Sequence, residues 1–219
     1  MIIGSRTGHS KNCLGAVSLR NEWECMNILE REVNKILKAH GHIIIDCNSS
    51  ASTENGELSE GCRKANAQHI DIFLSYHMNA SKDHRGHGTE CWVHPNARAS
   101  CKEIASRISS NLSKLGFYNR GVKTGLLYEM KNVKAPNIII ETCFCDNEKD
   151  IGIWSPTPYE VMARHIANAI DPSIPLEEKP KRWQVRVYAF TSKEEALKCS
   201  DRITTVSYTH LTLPTNREV

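Results

Sequence analysis

The apolar positions of the chain fall into short β-branched runs separated by longer stretches in which they recur every three or four residues. The runs predict strands at Met1–Ile3, His42–Asp46, Ile70–Tyr76, Gly88–Val93 and Asn137–Glu141. The longer stretches predict helices over Asn21–Ala39, Ser59–Ala67, Ala97–Leu115 and Tyr159–Ile170. Gly41 and Gly116 stop the first and third helices, because glycine takes the left-handed backbone at a helix end without steric cost. Strands alternating with helices predict an α/β fold. The expectation is a single domain over residues 1–171, with a central, mostly parallel twisted sheet flanked by helices on both faces.

After residue 171 the periodicity breaks. Residues 172–182 carry three prolines and charges of both signs with no apolar face, and are expected to be a linker. The run WQVRVYAF then alternates as a strand does, and Ser192 followed by Glu195 is a capping box that opens a helix. This short C-terminal βα fragment, residues 183–205, is too small to bury a core of its own. Residues 206–219 continue neither pattern and read as a non-native tail that carries no function.

Composition narrows the picture. The formal net charge of +3 is spread along 219 residues with no Lys/Arg run, so no nucleic-acid groove or polybasic membrane patch is expected. No stretch approaches the roughly 20 apolar residues of a membrane span. The opening MIIGSRTGHSKN lacks the apolar core of a secretion signal, so synthesis in the cytoplasm is expected. Nine cysteines stand without CxxC pairs, which is the pattern of reduced, apolar thiols rather than of a structural zinc site.

Four groups stand where chemistry is placed. His9 follows an apolar strand through a glycine-containing turn, where α/β proteins present ligands. The first helix carries an apolar stripe through Met26, Leu29, Val33, Ile36 and Leu37, and one turn back that stripe reaches Glu22. Glu24 falls instead among Arg31, Lys35 and Lys38 on the solvated side. His77 ends the buried run DIFLSYH, and Glu141 ends PNIIIE, where burial costs a carboxylate free energy unless a cation or a donor answers it. Two histidines, an inward carboxylate and a further carboxylate are the parts of a hydrolytic zinc site, although their spacing is not HExxH and does not by itself bring them together.

The segments IIGSRTGHS, NEWECMN, CRKANAQHIDIFLSYHMNAS, GHGTECWV and PNIIIETCFCDNEKD, in that order, resemble the zinc-dependent N-acetylmuramoyl-L-alanine amidases of the Amidase_3 family, found in bacterial autolysins and phage endolysins. The resemblance spans roughly residues 1 to 170. It implies a peptidoglycan hydrolase that cuts the amide between the N-acetylmuramic acid lactyl group and L-alanine. It further implies Zn2+ held by His9, Glu22 and His77, Glu141 as catalytic acid and base, and Asn79 beside the substrate. Such an enzyme acts on the cell wall after release. Arg6 and Thr7 depart from the small or acidic residue and proline usual before this Gly-His, which leaves the shape of the first loop open. Residues 183–205 resemble the start of a SPOR domain, a peptidoglycan-binding module.

Two other functions use the same residues: a zinc peptidase acting within the stem peptide, and a wall-binding protein without catalysis. A pure binder has no use for Glu141 at the end of an apolar strand. His84 and His87 form another histidine pair, read as a solvated loop because no companion ligand of suitable spacing accompanies it. Tyr76, Trp92 and Tyr128 are groove candidates, though aromatic residues near strands more often fill a core.

Overall fold

The computed structural model describes residues 1–177 together with Ser192. Its strands are β1 (Ile2–Thr7), β2 (Ile43–Asp46), β3 (Ile72–Asn79), β4 (Thr89–Val93), β5 (Asn119–Thr124) and β6 (Asn137–Phe144). Its helices are α1 (Glu22–Ala39), α2 (Glu54–Asn66), α3 (Ala99–Ser113), α4 (Tyr128–Asn132), α5 (Glu148–Trp154) and α6 (Tyr159–Ile170). The sheet runs β2-β1-β3-β6-β4-β5. β2, β1, β3 and β6 are mutually parallel, whereas β4 runs antiparallel to β6 and carries β5 parallel to itself at the edge.

Alternation along the strands divides the molecule into layers. Ile3, Leu74, Tyr76, Ile138 and Ile140 face one large core shared with α1, α3 and α6. Phe73 and Cys47 face a smaller one under α2, which supplies Cys62 and Ala65. The two cores lie on opposite faces of the sheet, as the strand period of two requires. No helix of the described residues is long and apolar enough to cross a membrane.

The chain leaves β1 for β2 on one side and returns from β2 to β3 on the other, so the strand order reverses between β1 and β3. Open α/β sheets bind their ligands in the crevice outside the carboxyl ends of the strands at such a reversal. Thr7, the end of β1, pairs with Tyr76 there, directly before His77. His77 in turn lies opposite Glu141 of β6, and the register shifts between His77 and Asn79. That irregularity re-aims the last residues of β3, a common use of a bulge.

Several elements differ from those the pattern predicts. β1 runs past Ile3 to Thr7 because its polar residues are buried with partners: Ser5 donates to Glu30 at 2.7 Å, and Arg6, wholly buried, pairs with Glu129 at 2.7 Å. α2 begins at Glu54 under the Thr53 cap, five residues before the predicted Ser59, since Gly56 and Gly61 weaken the helical signal of its first turns. β5, polar and without alternation, is an unpredicted edge strand, and α4 and α5 are short helices of 5 and 7 residues. Residue 171 is not where packing stops: Asp171 pairs with His42 at 2.9 Å, and Ile174 is fully buried. The expected βα fragment and tail lie outside the described residues, Ser192 excepted.

Gly61 has a packing role that its helix propensity hides, since a Cβ there would lie 2.8 Å from the Arg6 guanidinium. Gly61→Ala, which an open helical site would favour by about 1 kcal/mol, is therefore expected to lower the denaturation midpoint. Gly152→Ala in α5, where a Cβ meets nothing within 4 Å, is expected to leave it unchanged or raise it. Paired chemical-denaturation curves on the two variants check both signs.

Candidate metal centre and active site

Two glycines make room for the site. Gly8 continues β1 by donating to the Tyr76 carbonyl at 2.7 Å, and a Cβ on it would run into the His77 ring. Gly15, at φ +71, lies so close to His9 and Glu22 that any side chain would displace both. Arg6 shapes the loop between them: Nε donates to the Thr7 carbonyl at 2.9 Å and Nη2 to the Gly8 carbonyl at 2.5 Å. Residue 6 is thus a buried guanidinium that holds the histidine loop in place.

Glu22 enters from the start of α1, which Asn21 caps by accepting from Glu24 N–H at 3.2 Å. Helical phase turns Glu22 inward, to 3% exposure, and leaves Glu24 exposed. Its carboxylate accepts from Ala16 N–H at 2.8 Å and Met78 N–H at 3.0 Å. One oxygen lies 3.0 Å from His77 Nδ1 and the other 3.4 Å from His9 Nε2. Ligand atoms of His9, Glu22 and His77 all lie within 4.8 Å of one another. The three residues that the sequence separates widely therefore meet at one point.

The far side of each ring is also engaged. His9 Nδ1 lies 2.8 Å from Glu57 of α2, and His77 Nε2 lies 3.2 Å from Ser75 Oγ. Such partners fix ring orientation and tautomer for the nitrogen that faces the ion. Glu141 lies opposite His77 on one side and opposite Glu90 on the other, placing all three on one face of the sheet. Beyond it Glu90 gathers the cleft wall, accepting from Arg120 Nε at 2.6 Å, Trp92 Nε1 at 3.0 Å and Asn79 Nδ2 at 3.3 Å. Arg120 also stacks over Phe144 at 5.0 Å.

Electrostatics follow from this crowding. Burial opposes ionisation of Glu22, but the hydrogen bond and charge of His77, with smaller help from His9 and Ala16 N–H, hold its carboxyl below the usual range. Burial likewise opposes a charge on His77, yet the Glu22 hydrogen bond and the charges of Glu141, Glu22 and Glu129 outweigh it and push the imidazole up to about 9. Burial pushes Glu141 up to about 7; the His77 charge pulls against this, while Glu22, Glu90 and Glu129 add to it. One oxygen each of Glu57, Glu129 and Glu141 is buried with no hydrogen-bond partner. Two imidazoles and a carboxylate, set among under-neutralised acids and a glycine cradle, are a donor set suited to a divalent transition ion.

Glu57, Glu90 and Glu129 escaped the sequence reading, and Arg6 was noted only for the loop it opens, not for its pairing with Glu129. Glu90 alone left a signal, since it alternates with Trp92 on one face of β4. His84 and His87 join neither metal-capable group of the described residues: His84 bonds Asp146 at 2.9 Å, and His87 rests against Tyr118. Tyr76 is core, Trp92 is half-buried and Tyr128 is exposed. A cleft of about 810 Å³ lies beside α1, lined by Trp23, Arg31 and Lys35 among others, and includes none of the converging residues.

Fold and site define an α/β domain with a group of donors at the carboxyl ends of its strands that could hold a divalent cation. Residues 5–172 match the N-acetylmuramoyl-L-alanine amidase family, and the chain belongs to it. Over 176 residues it is 33% identical to an uncharacterized protein of Clostridium perfringens strain 13, a match covering 78% of this chain and 52% of the relative. Over 146 residues it is 31% identical to N-acetylmuramoyl-L-alanine amidase LytC of Bacillus subtilis strain 168, covering 65% of this chain and 29% of that protein. The catalytic domain of the CD27L endolysin targeting Clostridia Difficile superposes with a TM-score of 0.71 at 28% identity, covering 78% of this chain and 96% of the solved one. The chain spans about half the length of the Clostridium perfringens relatives it matches.

The titration pattern fixes how stability of the metal-free protein varies with pH. His77 rises from 6.5 to about 9 on folding, so its contribution is complete below 6.5 and is lost as pH climbs through 9. Glu141 rises from 4.5 to about 7, so the fold favours its protonated form, and that contribution is lost as pH climbs through 7. Glu22, held low, titrates beneath this window. The melting temperature in chelator is expected to fall steadily between about pH 5 and pH 9.5, and His77→Asn is expected to flatten the upper part of that decline.

Proposed function

We propose that this domain hydrolyses the amide between the lactyl group of N-acetylmuramic acid and the L-alanine of the peptidoglycan stem peptide. Zn2+ is the cofactor, held by His9, Glu22 and His77. The observation that carries the reading is the convergence of those three ligand atoms within 4.8 Å, with Glu141 beside His77 in the sheet register. Membership of the amidase family supports the choice of bond.

Zinc, when bound, polarises the scissile carbonyl and lowers the pKa of its water to about 7. Glu57 and Ser75, bonded to His9 and His77, would hold the two rings in place for the ion. Glu141, opposite His77 in the sheet register, is the group assigned to take a proton first and then return it. It takes the proton of the attacking water and delivers it to the departing alanine nitrogen, so the amine leaves neutral. Asn79, bonded to Glu90 past the β3 irregularity, is the residue assigned to lie beside the substrate. The enzyme acts on the wall after release from the cell that makes it. A zymogram with metal analysis tests cofactor and substrate on one preparation. Release of new L-alanine amino termini supports the amidase, whereas cleavage inside the stem peptide overturns it.

Two substitutions separate metal binding from catalysis. Glu22→Ala is expected to strip the zinc, while Glu24→Ala, on the exposed side of the same turn, leaves metal content and turnover unchanged. Glu141→Gln is expected to keep the fold and the zinc but to lose about 10² to 10⁴ in kcat, roughly 3 to 5 kcal/mol of transition-state stabilisation. A zinc-loaded, stably folded Glu141→Gln protein that clears walls at near wild-type rate means that Glu141 carries no proton.

A further inference from the structure

We propose that His9, Cys13 and Glu57 form a second site for thiophilic divalent cations, such as Zn2+ in excess or Cd2+, and that its occupancy inhibits the domain by drawing the His9 ring and its partner Glu57 away from the first ion. The inference rests on the reading that His9 serves the first ion. Its basis is a second convergence: a His9 ring nitrogen, Cys13 Sγ and a Glu57 carboxylate oxygen lie within 4.8 Å of one another, and Glu57 meets His9 at Nδ1 whereas Glu22 faces Nε2.

The donors are held in place rather than brought together by chance. Ser10 and Cys13 exchange backbone hydrogen bonds at 3.0 and 3.1 Å, and Ser10 Oγ donates to the Ala51 carbonyl at 2.7 Å, so the loop carrying Cys13 is braced against the segment before α2. Glu57 is completely buried, and its Oε2 has no hydrogen-bond partner although its Oε1 accepts from His9. That oxygen is free to ligate. Cys13 is half-buried, whereas every other described cysteine is buried. Burial and the nearby Glu57 and Glu54 carboxylates hold its thiol up, so it stays protonated until a cation arrives.

A thiolate, an imidazole and a carboxylate suit zinc or cadmium and disfavour magnesium or calcium. Tetrahedral bonds of about 2.0 to 2.3 Å require donor atoms about 3.3 to 3.6 Å apart, so the 2.8 Å His9–Glu57 contact has only to open slightly. Binding releases the thiol proton to solvent. A neutral imidazole has one ring nitrogen free to ligate at a time, so ligation through Nδ1 moves the N–H to Nε2 and the two ions compete for one ring. The first site is weakened at His9, the ligand the two groups share, and through that ring's supporting carboxylate.

The test uses the intact chain loaded with one equivalent of Zn2+. Titration with Cd2+ is expected to raise the ultraviolet thiolate-to-cadmium absorption, and excess Zn2+ to lower wall hydrolysis by about tenfold or more, the cost typical of losing an outer partner of a metal ligand. Cys13→Ser, which leaves the first site's residues intact, is expected to retain activity, lose that absorption and resist the excess zinc. No absorption in the wild type, absorption equal in Cys13→Ser, or undiminished inhibition of Cys13→Ser by excess Zn2+ each overturns the proposal. Failure to retain the first equivalent of zinc counts against the catalytic reading instead, so the two fail separately.

Discussion

Glu22 is a carboxylate taken almost wholly out of water, and the cleft is organised around answering that cost. Desolvating such a group costs several kcal/mol unless donors and opposite charge replace its hydration. Two backbone N–H groups supply donors, one from the loop before α1 and one from β3, and two imidazoles face the remaining lone pairs. One side chain thereby ties the first helix, the first loop and the third strand together. A cation between the same groups would satisfy them more fully than the imidazoles alone, which is the physical ground for proposing a metal there.

The backbone contributes as much as the side chains. Reversal of strand order opens the crevice, the absent side chains of Gly8 and Gly15 let the rings and the carboxylate approach, and the irregularity after His77 lets Asn79 turn toward Glu90. The reversed pair β4 and β5 then brings Glu90 and Arg120 to the cleft's far wall. Glu141 lies between positive and negative neighbours, and this balance sets its proton affinity near neutrality.

Much of this was legible in the chain, for identifiable reasons. The α1 stripe was regular enough to phase Glu22 inward and Glu24 outward, and the apolar runs ending at His77 and Glu141 flagged both residues because polar groups are costly there. Their convergence was not legible, because spacing along a chain says nothing of strand order, and the meeting of His9 with His77 depends on β1 lying beside β3. Glu57 and Glu129 were silent for another reason: each sits in a polar segment, where a buried acid looks like a solvated one. Edge strand β5 lacked alternation because an edge carries fewer packing demands than a central strand.

Arg6, Gly61 and Glu129 also bear on how the sequence can drift. The guanidinium fills the space left by a missing Cβ, binds the Thr7 and Gly8 carbonyls, and neutralises an acid that in turn accepts from Ser75 at 3.3 Å, the residue behind His77. Lysine cannot reproduce a fork with three separate destinations. None of the three residues is free to change alone without leaving a void, a clash or an unpaired buried charge. They therefore form one heritable unit, in which a change at any one position is tolerated only together with changes at the other two.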